Sequence, residues 1–178
     1  DAKAAQEPIR ALLLGTASNT AGRTIGISLP NRDAQAALLS GLLRDADVHS
    51  DRFMAFEAHG TGTKVGDATE LSSLLKVFQE SGKKGSWCAV GSIKSQIGHT
   101  KAAAGAAGLL KAAAALYNKV LPPSIKVRKP LEGMNRGKGP FYFSGQKRPW
   151  ISNPNHPRRA AVSAFGFGGR APQPLDHL

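Results

Sequence analysis

The sequence predicts an α/β fold with a mainly parallel sheet, and three observations predict it. Apolar stretches of strand length (9–15, 52–58, 87–93 and 159–165) alternate with segments whose Ala and Leu recur at helical spacing (31–46, 67–80 and 100–118). The alternation comes at short intervals, as it does where strands are joined by covering helices. The last helical segment, AAAGAAGLLKAAAAL, is apolar nearly all round, as a helix must be when neighbouring layers cover it. At 178 residues the chain can bury one sizeable core and requires no internal division, so residues 1–178 are read as one domain.

Taken in order, IRALLLG (9–15) reads as a buried strand, and the helix over 31–46 follows with Asn31 or Asp33 as its N-cap. RFMAFEA (52–58) is a second strand. The helix over 67–80 opens on Asp67-Ala-Thr-Glu70, which has the form of a capping box. WCAVGSI (87–93) is a third strand, and the apolar helix runs over 100–118. Gly105 and Gly108 weaken that helix, a cost most easily justified by close approach of another backbone, so it is expected to be a buried central helix sandwiched between layers. Beyond it, Pro122, Pro123, Pro130, Pro140 and Pro149 break the chain into loops and a small hairpin around 141–144. RAAVSAF (159–165) is the last strand and leads into the glycines of 166–169.

Composition excludes several classes. An apolar content of 41% with 20% charged residues is that of a globular protein, not a disordered one. The net charge of +12 and pI near 10.3 suit an acidic partner. The basic residues are scattered, interrupted by Pro and Gly and unaccompanied by a nucleic-acid motif, so a solvated surface or a docking face for an acidic protein is expected rather than nucleic-acid binding. A single cysteine forms no internal disulfide, in keeping with the cytoplasm. The most apolar stretch is too short to span a bilayer and contains Lys111, so no membrane role is expected.

Three constellations could carry chemistry. In EAHGTGTKVGD (57–67), His59 follows a strand and glycines precede a helix, a turn that exposes the imidazole and lets a ligand approach backbone amides. The spacing of Gly60, Gly62 and Gly66 is not that of a dinucleotide-binding turn, and no acidic residue ends the next strand to hold a ribose. In GSIKSQIGHTKAAAG (91–105), Lys94 follows a strand and His99 stands at the mouth of the apolar helix. A helix N-terminus disfavours an imidazolium, which places His99 as a hydrogen-bond donor to a carbonyl oxygen. Alone, a His beside a helix start is more often structural, but two such sites in one chain favour function. In SAFGFGG (163–169), Gly166, Gly168 and Gly169 free backbone amides to face an oxyanion, and Phe165 and Phe167 can close over an apolar chain.

HGTGT at 59–63, GSIKSQIGH at 91–99 and FGFGG at 165–169, in this order and at these separations, resemble the β-ketoacyl synthase family, with GTASNTAG at 15–22 matching the start of its C-terminal half. The resemblance covers about 9–169 and leaves 170–178 as a divergent tail. KSQIGHTKAAAGAAGLLKAAAALYNKVLPPSI, with PFYF and RPW, is similar to the ketosynthases of polyunsaturated fatty acid synthases and iterative polyketide synthases. The resemblance implies the C-terminal half of a thiolase-like fold. It also implies a decarboxylative Claisen condensation of malonyl-acyl carrier protein with an acyl thioester, without metal or redox cofactor. His59 and His99 match the histidines that assist decarboxylation, and Lys94 the lysine that supports them by pairing with an acid, here Glu70. Thr61 and Thr63 match positions that meet the phosphopantetheine arm; the Phe167 amide matches an oxyanion-hole donor, and Phe165 a gate over the acyl pocket. The implied partners are the N-terminal ketosynthase half, the acyl carrier protein and, in the full enzyme, a second copy. The family's nucleophilic cysteine lies ahead of HGTGT. Cys88, mid-strand and without the tight turn that exposes a nucleophile, does not replace it, so this chain alone is expected to be inactive. A thiolase-fold module that docks carrier protein without catalysis is the alternative reading, and His59, Lys94 and His99 together count against it.

Overall fold

The computed structural model describes residues 2–22, 26, 29–134, 137 and 139–166. Its centre is a four-stranded sheet of β1 (Ala55–Glu57), β2 (Cys88–Gly91), β4 (Phe141–Phe143) and β6 (Ala160–Val162), in the order β4-β2-β1-β6. Every pairing in it is parallel, with Ala55 opposite both Ala89 and Ala160, and Cys88 opposite Phe141. A short antiparallel ladder joins β3 (Val120–Leu121) to β5 (Arg148–Pro149). Parallel neighbours need covering crossovers, and helices supply them on both faces.

Alternation along β1 decides what each face meets. Phe56 points to the side of α1 (Arg32–Asp45) and α2 (Lys64–Gln79), where the main core gathers around Phe78 and Phe141, both without solvent exposure. The rings of Phe78 and Phe141 lie 4.8 Å apart and those of Phe56 and Phe78 6.2 Å apart in an edge-on arrangement. Cys88, the first residue of β2 rather than mid-strand, belongs to this core, and burial pushes its thiol far above the ordinary range, so it is the inert core residue expected. Glu57 lies on the opposite face, under α4 (Ala104–Asn118). No described helix is long and apolar enough to cross a membrane.

Several sequence expectations are corrected. Residues 9–15 form no strand: Leu12, Leu13 and Leu14 are 74%, 70% and 56% exposed, and no ladder partner for them occurs among the described residues. The side chains suit a buried strand, but a strand also needs a neighbour to receive its backbone hydrogen bonds. Asn31, not Asp33, caps α1, its side-chain oxygen accepting from the amides of Asp33 and Ala34. The second helix begins at Lys64 rather than 67 because Thr63 Oγ1 accepts from Gly66 N–H and caps it a turn earlier. The capping box at Asp67 and Glu70 therefore does not form. The segment around 141–144 is not a hairpin but a parallel strand beside β2, and the last strand is shortened to Ala160–Val162.

The apolar helix starts at Ala104 after a 3-10 turn over Lys101–Ala103. Close packing against the two glycines is confirmed, by side chains rather than by another backbone: a Cβ on Gly108 would lie 3.1 Å from Val162 Cγ1, and one on Gly105 3.2 Å from the Ala164 Cβ. The sandwich is not. Leu109 and Leu110 are 50% and 72% exposed, so among the described residues α4 is covered on one face only.

Candidate active site

The adjacent strands β2, β1 and β6 are parallel and in register, so the loops at their carboxyl ends leave the sheet side by side. His59 follows β1, Lys94 follows β2 and Phe165 follows β6, which is why residues 106 positions apart in sequence meet. His59 Nδ1 lies 3.3 Å from Lys94 Nζ and 3.2 Å from the Phe165 amide nitrogen. The His59 ring stands 5.2 Å from the Phe165 ring and 5.4 Å, edge-on, from that of His99. His99 reaches this position through α3 (Lys94–Ile97) and Gly98, whose φ of 79° is a left-handed turn that suits glycine. Gly60 is required on two counts, a φ of 45° and a hypothetical Cβ only 2.8 Å from Ser92 Cβ.

Hydrogen bonding fixes the same tautomer on both imidazoles. A backbone N–H can only donate, so Nδ1 of His59 accepts from Phe165 N–H, and Nδ1 of His99 accepts from Lys101 N–H at 3.0 Å. In a neutral ring so held the proton sits on Nε2, which is left free to donate. Burial, reinforced by the Lys94 ammonium and by His99, depresses the His59 pKa to about 4, so the ring is neutral at physiological pH. Lys94 is itself held below the ordinary lysine range by burial, with Glu70, Glu57 and Asp67 opposing that shift.

Glu70 is buried at 4% exposure, and its two carboxylate oxygens accept from the amides of His59 (2.8 Å) and Gly60 (3.0 Å). Burial pushes its pKa up, against those two bonds. It makes no ion-pair contact with Lys94; it clamps the backbone of the His59 loop and acts on Lys94 only through the field. Thr61 and Thr63 are exposed and their hydroxyls lie 3.2 Å apart. Gly166 is exposed, and Phe167, Gly168 and Gly169 lie outside the described residues.

Residues 10–128 match the family model described as the C-terminal domain of β-ketoacyl synthase. The chain belongs to the β-ketoacyl synthase family. This ketosynthase chain is 39% identical over 169 residues to polyketide synthase PksL of Bacillus subtilis, covering 95% of itself and 4% of that protein. It is 40% identical over 168 residues to a polyunsaturated fatty acid synthase polypeptide of a Thraustochytrium species, covering 92% of itself and 6% of that protein. Among solved structures, the ketosynthase from module 6 of the Bacillus subtilis bacillaene synthase superposes with a TM-score of 0.88 at 39% identity, over 93% of this chain and 30% of that one. The thiolase-like fold expected from the motifs is thus confirmed, and the chain spans under a third of the solved ketosynthase and a small part of the large synthases it matches.

Sequence reading missed Asp67, Ser92, Glu57 and Lys111. Asp67 accepts from Gly62 N–H at 3.2 Å, and Ser92 Oγ links the His59 carbonyl to the Lys94 amide at 3.3 Å each. Glu57 and Lys111 form an ion pair of 2.6 Å with side chains 7% and 10% exposed. Its signal was legible: one carboxylate at the inner end of a buried strand, and one charged residue in an otherwise apolar helix.

Proposed function

We propose that this chain supplies the decarboxylation machinery of a ketosynthase acting on malonyl-acyl carrier protein in polyketide or polyunsaturated fatty acid synthesis. The observation that carries this reading is the matched pair of imidazoles, each with Nδ1 occupied by a backbone donor and Nε2–H left to donate. Two such donors on a malonyl thioester oxygen gain strength as the bond to the carboxylate breaks, carbon dioxide departs and the electron pair moves onto that oxygen as an enolate. The enolate carbon then attacks the carbonyl of an acyl-cysteine, forming the carbon–carbon bond and expelling the thiolate. That cysteine would come from the N-terminal half of the ketosynthase, so the chain alone would not condense. Lys94, beside His59 Nδ1, reinforces the burial that keeps the ring neutral. Thr61 and Thr63 would meet the pantetheine arm. Phe165 would gate the acyl pocket, with the Phe167 amide and the glycines 166, 168 and 169 around the oxyanion.

The N-terminal half would also cover the exposed Leu12–Leu14 segment and the outer face of α4. Acyl carrier protein, as an acidic partner, suits the net charge of +12. No cofactor is required beyond the carrier's own arm, the working assembly would be a homodimer, and its site of action the cytoplasm. The test is release of labelled carbon dioxide from malonyl-carrier protein by the complete domain. No release above the carrier alone would defeat the reading.

A pH prediction follows from His59. Because its pKa is lowered to about 4, the ring stays neutral as the pH falls through 6.5, where an ordinary imidazole would be half protonated. The His59 ring, followed by NMR of histidine-labelled protein, should therefore stay neutral from pH 8 to about pH 5 and take up its proton only below that range. A midpoint near pH 6.5 for the His59 resonances would show that burial and Lys94 do not hold the ring neutral.

A further inference from the structure

Behind the site lie two charged side chains that the reaction does not use. Glu57 ends β1, two residues before His59, and Lys111 is the single charged residue of α4. Lys111 Nζ holds Glu57 Oε2 at 2.6 Å, and the other carboxylate oxygen, Oε1, accepts from the backbone N–H of Ile93. The main-chain carbonyl of Glu57 accepts from Ser163 N–H at 2.9 Å. Helix α4 closes over the pair, since a Cβ on Gly108 would sit 3.3 Å from Glu57 Cγ.

Each contact leads to a different wall of the His59 site. Ile93 is the N-cap of α3 and immediately precedes Lys94, so a bond to Ile93 N–H fixes the start of the turn that carries Lys94 Nζ to His59 Nδ1. Ser163 stands two residues before Phe165, whose N–H is the other donor to Nδ1. Helix α4 grows from the turn in which Lys101 N–H holds His99. Stability does not account for the pair: a buried ion pair is commonly matched or exceeded by apolar residues of the same volume. An apolar pair, however, could not accept from Ile93 N–H. An ammonium on one carboxylate oxygen also fixes the direction in which the second oxygen points.

We propose that Glu57 and Lys111 form a positioning pair, in which Lys111 orients the Glu57 carboxylate so that it locks Ile93 and thereby sets Lys94 against His59 Nδ1. The kinetic consequence rests on the decarboxylase reading; the geometric one does not. The charged groups around His59 are Lys94 from α3, His99 beyond it, Glu70 and Asp67 from α2, and Glu57 on its own strand. If the lock on Ile93 is lost, the group most directly displaced is Lys94, and with it goes part of the charge that keeps His59 neutral.

The test compares the complete domain with two double variants, Glu57→Leu/Lys111→Met and Glu57→Gln/Lys111→Met. Both remove the charge pair together, and only the second keeps an oxygen able to accept from Ile93. The Leu/Met form is expected to melt near the parent's temperature and keep its KM for malonyl-carrier protein, while kcat falls by about tenfold to a hundredfold. Its His59 ring, followed by NMR of histidine-labelled protein, should titrate above the parent's value of about 4 and toward 6.5. The Gln/Met form should recover most of the lost rate and return the titration toward the parent's. A folded Leu/Met form with the parent's kcat and His59 titration would overturn the proposal, as would equal losses in the two doubles. Should the Leu/Met form not fold, a large kcat loss in a folded Gln/Met form would overturn it as well. If the parent releases no carbon dioxide, the decarboxylase reading fails, and the His59 titration still decides the pair.

Discussion

On the proposed reading, His59→Ala and His99→Ala should each lower the decarboxylation of malonyl-carrier protein by about 10²–10³-fold, with KM for the carrier little changed. The magnitude is that of one oxyanion donor lost from a prearranged site, and the geometry explains why water does not replace it. Each Nδ1 is already tied to a main-chain N–H, so each ring is aimed before substrate arrives and loses little by reorganising in the transition state. Because both donors serve one oxygen, the double variant should lose less than the product of the two single losses. Single-turnover release of labelled carbon dioxide measures this directly. Equal decreases in kcat and kcat/KM would mark an interaction made only as the enolate forms, whereas a rise in KM alone would assign the histidines to binding.

Lys111→Met alone should destabilise the domain by about 3–5 kcal/mol, more than Glu57→Leu/Lys111→Met, although the double variant loses more polar contacts. Removing the ammonium leaves a carboxylate 7% exposed beneath α4 with only the Ile93 amide as partner. That uncompensated charge, not the lost attraction, is the main cost. The pH dependence has a definite sign. Burial already raises the Glu57 pKa against the pull of Lys111, and without Lys111 the carboxyl rises further. A carboxyl whose folded pKa lies above its unfolded value favours the folded state at low pH and loses that contribution as pH rises. The melting-temperature deficit of Lys111→Met should therefore widen from pH 5 to pH 8, while that of the double variant, which has lost the carboxyl altogether, should not widen. A single variant no less stable than the double would mean that the ion pair is solvated rather than buried.

Much of this was legible in the linear chain. Strand-length apolar runs at 52–58 and 87–93, separated by helical spacing, were enough to require parallel pairing of β1 with β2, and the structure has it. The glycine-flanked histidines were legible because the proposed chemistry needs a chemical type at a fixed place after a strand. Where reading failed, the deciding partner was remote in sequence. Residues 9–15 have the side chains of a strand but no ladder partner among the described residues, and Phe141–Phe143 are a strand only because Cys88–Val90 lie beside them. Glu70 looked like a local cap, yet the amides it satisfies are those of His59 and Gly60, eleven and ten residues back.

The sequence by itself determined the α/β class, the family and the identities of His59, Lys94 and His99, because composition, periodicity and motif spacing are local properties. Tertiary structure alone decided their chemistry. It set the Nε2–H tautomer of both histidines, brought Lys94 to the neutral His59, and closed the Glu57–Lys111 pair behind them. Each depends on a hydrogen bond or a burial that exists only when distant segments pack, and no spacing along the chain encodes a dielectric environment.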